Sequence, residues 1–216
     1  MAIVLHLIYA LADLGLLIWD VRLWPQANDM VLALLVLLLL ASIYDNLIIS
    51  AGCFLGEGEF LKSLNTLRFL FHDLLVPLFV VITVELAHQG GVSWAAYPSS
   101  RLLGWIIVLG MIGFGLITRF LKLDMAPVTF AGTLRYTETQ NMLLPLAAIL
   151  TTLLVIGEGV SIWRQLQWPW VFMGAVAVFL GNAAPKRSMG LTLSAGVECI
   201  FILCLLATEY QLQLVS

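Results

Sequence analysis

Charge is what this chain has least of. Asp, Glu, Lys and Arg make up only 11% of its 216 residues, where a soluble domain carries about 25%. With a formal net charge of −3 and no long basic run, it has no footprint for nucleic acid. Its three cysteines, Cys53, Cys199 and Cys204, are scattered in apolar sequence without a CxxC pair. That excludes a zinc ribbon and leaves small core hydrophobes. Lys62, Lys122 and Lys186 all fall in predicted loops, so a retinal Schiff base is excluded. His72 alone is deep in a predicted span, with His6 near the inner and His88 near the outer surface. Bis-His haem ligation and a zinc site of several histidines are excluded with it. A GxSxG elbow, a P-loop and a DDxxD-like motif are all missing. No cofactor is expected.

What is abundant is hydrocarbon. Hydrophobic residues fill 62% of the chain, against about 45–50% in soluble domains. Seven segments read as membrane spans: 3–19, 30–53, 66–87, 101–120, 141–160, 168–183 and 190–210. The expected fold is an all-α, polytopic bundle of seven transmembrane helices, one domain over residues 1–216. The start, MAIVLHLIYALADLG, has no basic n-region and no small-residue cleavage site. It reads as a first span rather than a removed signal. The longest loop ends in what reads as a capping box, Thr137 with Gln140, opening span five.

Orientation follows from the cations. Lys62, Arg68, Arg119, Lys122, Arg135, Lys186 and Arg187 share one side, against Arg22, Arg101 and Arg164 on the other. The bias places the amino terminus in the cytoplasm and the carboxyl terminus outside. All seven tryptophans fall near outer span ends, as an interfacial belt does. The expected home is a bacterial inner membrane or a related organellar membrane.

Inside the spans a few ionisable residues stand out. Asp13, Asp45, His72, Asp73 and Glu198 all fall roughly 9–15 Å below the cytoplasmic boundary, at about 1.5 Å per residue. Asn46 travels with Asp45, Tyr44 adds a donor, and Asn65, Arg68 and His72 share one helix face at i, i+3, i+7. Pro77 frees the carbonyl of Asp73 and predicts a kink. Ser194, one turn before Glu198, is placed to hydrogen bond it. A common layer of polar groups is how an interior site reads in a membrane sequence.

Such a layer suits acid–base chemistry on an apolar substrate, such as isomerising or cyclising a polyene. Asp45, Asp73, Glu198 and His72 are the expected acid and base groups. Asn46, Arg68, Asp13 and Tyr44 are the expected substrate-binding groups. The expected ligand is a membrane lipid or isoprenoid, in a homo-oligomer or a larger membrane complex. A structural Arg68 pair with Asp45 or Asp73, a divalent ion on His72, Asp45, Asp73 and Glu198, a proton-coupled carrier, and a pigment- or lipid-binding accessory subunit all stay open.

The stretch YDNLIISAGCFLGEGEFLKSLNTLRFLFHDLLVPL resembles a family of small bacterial and plastid membrane proteins. Their shared pattern is YDN, then GEG, then RF..H leading into a proline. The residues that carry it are Tyr44, Asp45, Asn46, Gly56, Glu57, Gly58, Arg68, Phe69, His72 and Pro77. Asp45, Asn46, Ile49 and Gly52 also look like the DN..I..G element of membrane-bound lycopene cyclases. His72 and Asp73 stand where that family has paired glutamates. Fungal membrane-bound meroterpenoid cyclases are similar in pairing an early acid, here Asp45 or Asp73, with a late one, here Glu198. The first resemblance implies kinship alone, and the two to cyclases imply a cyclase-like activity.

Overall fold

The computed structural model describes residues 1–27, 30–139, 146–183 and 190–215. Its helices are α1 (Ala2–Ala27), α2 (Met30–Leu55), α3 (Glu59–Leu75), α4 (Leu78–Gln89), α5 (Pro98–Thr118), α6 (Leu146–Leu166), α7 (Trp170–Asn182) and α8 (Gly190–Val215). Between α5 and α6 lies a hairpin of β1 (Met125–Phe130) and β2 (Thr133–Glu138).

Among the described residues, six helical stretches are long and apolar enough to cross a membrane, with α3 and α4 counted as one. They fit an integral membrane protein. Predicted span six is the short α7, whose 13 residues reach only about 20 Å, against about 30 Å of hydrocarbon. Large apolar side chains cover the outside, as Leu102, Ile106, Leu109 and Ile117 do along α5. Lipid can cover such a surface, whereas water would penalise it.

Helix α4 is the centre of the bundle. Every residue from Leu78 to Ala87 is buried, the mark of a helix enclosed on all sides. It packs on α2, α5, α6 and α8, while α1 lies against α2 and α8. The predicted break at Pro77 is present: α3 stops at Leu75 and α4 starts at Leu78.

The largest departure from the sequence reading is the hairpin. The sequence predicts a loop over residues 119–141, closing in a capping box. Thr137 instead pairs with Ala126 in the ladder, and Gln140 lies outside the described residues. The chain reverses through Ala131 and Gly132, at φ 48° and 89°, as a two-residue primed turn requires. Strand β2 packs on α2 and α3. The approach is so close that a Cβ built at Gly52 would run into the Leu134 carbonyl.

Gly52→Ala therefore displaces the hairpin, and overpacking of this kind costs about 1–3 kcal/mol. Gly110, exposed on α5 with open space around it, is the control. Thermal unfolding in detergent is expected to drop clearly for Gly52→Ala and to stay level for Gly110→Ala. An unchanged midpoint for Gly52→Ala would refute the docking.

Candidate functional site

Asp13 is a fully buried carboxylate. It is 0% exposed in the middle of α1. Ser42 Oγ on α2 donates to its Oδ2 at 2.6 Å and Asn46 Nδ2 lies 3.5 Å from the same oxygen. Oδ1 has no hydrogen-bond partner among the described residues. Cys199 on α8 faces the same carboxylate, and Glu198 lies within electrostatic reach of both Asp13 and Asp45.

Asn46 links Asp13 to His6. Its Oδ1 sits 2.7 Å from His6 Nδ1, and its Nδ2 also reaches the Ser42 carbonyl at 3.0 Å. His6 Nε2 lies 3.4 Å from Thr192 Oγ1 on α8. The spacing explains the alignment: Ser42 and Asn46 are one turn apart on α2, so both face α1. The result is a chain of polar contacts through α2, α1 and α8.

Asp45, one position round from Asn46, turns towards α3. Arg68 donates from Nε to Asp45 Oδ1 at 2.7 Å and from Nη1 to Asn65 Oδ1 at 2.6 Å. Arg68 is nearly buried, while the Asp45 side chain keeps 35% of its surface open. Strand β2 brings Arg135 to the same place, close enough to interact with Arg68, Asp45 and His6. Burial first, and then the like charge of Arg68, pull the Arg135 pKa below its ordinary value.

Two of the expected catalytic residues belong elsewhere. Asp73 Oδ1 accepts from Arg119 Nη1 at 2.7 Å. Arg119 Nε donates to Glu138 Oε1 at 2.8 Å, and its guanidinium lies over the Phe69 ring, 5.1 Å from the centroid. His72 stands beside this group, Nδ1 3.8 Å from Asp73 Oδ1, with 47% of its side chain exposed. The single layer is thus divided. Asp13, Asp45, Asn46, Arg68 and Glu198 come together, whereas His72 and Asp73 join an ion triad on α3, α5 and β2.

Other expectations are corrected in detail. Ser194 donates to Asn182 and not to Glu198. The Tyr44 hydroxyl is used on the Leu64 carbonyl at 3.0 Å. Arg119 and Arg135, expected as loop charges, are inward-facing. Lys186, Arg187 and Asp29 lie outside the described residues. Among the described residues no cluster of three or more His, Cys, Asp or Glu is arranged to hold a metal ion.

Sequence reasoning missed His6, Ser42, Thr192, Cys199 and Arg135. For Ser42 the signal was present, one turn before Asn46. Arg135 could be found only through the hairpin. Also unforeseen is a side cavity of about 390 Å³ between α4, α5 and α6, lined by Val84, Trp94, Leu103 and Glu158 among others. Thr83 donates to the Glu158 carboxylate there. The chain matches no protein-family model, no curated protein and no solved structure.

Removing Arg119 strands Asp73, whose Oδ2 already lacks a partner. Breaking a buried pair in this way costs about 3–5 kcal/mol. Arg119→Met is expected to lower the unfolding midpoint strongly, and the Asp73→Asn, Arg119→Met double variant to lose less than the sum. His72→Ala should change stability by no more than about 0.5 kcal/mol. Additive losses would show that Asp73 and Arg119 are uncoupled.

Proposed function

We propose that this protein is a membrane-embedded acid–base enzyme, a cyclase, isomerase or lyase acting on a neutral isoprenoid or other lipid. One observation carries the reading. Asp13, wholly enclosed, has one oxygen fixed by Ser42 and Asn46 and the other bare, with Glu198 close by. A held carboxylate with a free oxygen is placed to exchange a proton, and the second acid supplies a separate donor.

The proposed step is proton-balanced and redox-neutral. Glu198 gives its proton to one carbon of a double bond, forming a C–H bond and a carbocation. Asp13 removes a proton from a neighbouring carbon, and the double bond re-forms one position along. In a cyclisation, a second double bond attacks the cation before that loss. Asp45, held on Arg68, contributes negative charge near the developing cation. His6 fixes Asn46, which orients Asp13. Glu198 thus keeps the acid–base part expected of it, and Asp13, expected only to bind substrate, takes the place of Asp73 and His72.

The proposal includes seven crossings, with α7 as a short one, and an amino terminus in the cytoplasm of a bacterial or related organellar membrane. It also includes kinship with the family that shares the YDN, GEG and RF..H elements. A second reading, a proton-coupled carrier, draws on Glu158 and its cavity, which offer a polar step apart from the Asp13 group.

Heavy water tests the chemistry whichever lipid is the substrate. Membranes containing the protein are incubated with total host lipid in D2O, and lipids are searched by mass spectrometry for deuterium gained on carbon. The wild type is expected to label one lipid class. Asp13→Asn and Glu198→Gln should each slow that labelling at least about 100-fold. Absence of protein-dependent labelling would sink the enzyme reading, and proton flux in vesicles that depends on Glu158 would then favour the carrier.

A further inference from the structure

Two guanidiniums meet one carboxylate where β2 crosses α2 and α3. Arg135 is only 8% exposed. It makes no hydrogen bond and no ion pair with any described residue, although it lies near Arg68 and Asp45. Arg68 uses Nε on Asp45 and Nη1 on Asn65, which leaves Nη2 uncommitted. The local count is two fixed cations against Asp45, whose remaining oxygen takes no hydrogen bond from a described residue.

An arginine has five N–H donors and is never neutral. Burying it without an anion costs several kcal/mol. The hairpin nevertheless delivers it inward. Arg135 faces Val128 across the ladder, and the Gly52–Leu134 contact fixes the residue just before it. The Asp45 side remains open to an incoming group.

We propose that Arg68 and Arg135 form a binding site for a phosphate-type anion, with Asp45 and Asn65 holding the Arg68 fork in place. Paired guanidiniums match the oxygens of a phosphate in shape and charge, as ammonium groups do not. Val128, which faces Arg135 across the ladder, is apolar and 37% exposed. It offers an acyl chain a surface beside the charge. A phosphodiester headgroup and a free phosphate present the same chemistry to the site. This site shares the Asp45–Arg68 pair with the acid–base reading but rests on Arg135, which that reading does not use.

The experiment uses the full chain in neutral, phosphate-free digalactosyldiacylglycerol nanodiscs, with or without phosphatidylglycerol, and separately with millimolar inorganic phosphate. The wild type is expected to gain about 5 °C in unfolding midpoint with the filled site. Arg135→Gln should lose that gain while folding as well as the wild type, since it removes an unpaired charge. Lys122→Gln, which removes an exposed charge, should keep it. If Arg135→Gln does not fold, Arg135→Lys serves, with a reduced gain expected from its single ammonium. A gain with phosphatidylglycerol alone supports a lipid headgroup. A gain with inorganic phosphate in neutral nanodiscs supports a soluble phosphate. No gain in the wild type, or an equal gain in Arg135→Gln and wild type, overturns the site.

Discussion

The approach of the hairpin to α2 is the contact on which the charged structure depends. It requires Gly52, since no other side chain leaves room for the Leu134 carbonyl. Once docked, β2 uses both faces, because successive strand residues point opposite ways. On one face Arg135 reaches Arg68 and Asp45. On the other, Tyr136 packs with Leu61 and Met125, and its hydroxyl accepts from the Gly58 N–H at 3.1 Å. Glu138, on the same face, clamps Arg119 against Asp73. One six-residue strand thus joins α2, α3 and α5.

That arrangement decides which ionisable groups are free. Coulomb attraction between close charges is strong where water is excluded, yet each ion also loses its hydration. Asp73 and Glu138 recover that loss on one guanidinium, and Asp45 on another. Asp13 has no cation bonded to it and relies on a hydroxyl, an amide and a thiol. A group compensated by hydrogen bonds alone can change protonation without breaking an ion pair, which is why the proposed proton chemistry uses Asp13 and Glu198 rather than Asp73.

The spans were legible because hydrocarbon demands long apolar runs, and Pro77 was legible because it removes a backbone donor. The polar layer was legible as depth, since rise per residue is fixed. Its division was not. Depth gives one coordinate of each side chain, and the partner is set by rotation about the helix and by what docks from outside. His72 and Asp73 are adjacent in sequence, so they point about 100° apart, and Arg119 took only one of them. The hairpin itself was hidden by length. Two strands of six residues in a polar connection carry no strong period, and only Ala131–Gly132 between Phe130 and Thr133 marked the turn. His6 lay too close to the chain start to suggest burial, yet α8 covers it at Thr192.

The residues that carry the YDN, GEG and RF..H resemblance do different physical work. Asn46 alone belongs to the Asp13 group. Asp45 and Arg68 pair beneath the hairpin, Gly58 is bonded to Tyr136, and Phe69 lies under Arg119. Most of the pattern therefore secures a strand against two helices, with an unbalanced guanidinium beside it. Chains that share this stretch would share the Asp45–Arg68 pair and the helix surface that receives the hairpin, whereas Arg135, Asp13 and Glu198 all lie outside it. Differences in ligand between such chains are then sought at position 135, and differences in reaction at positions 13 and 198.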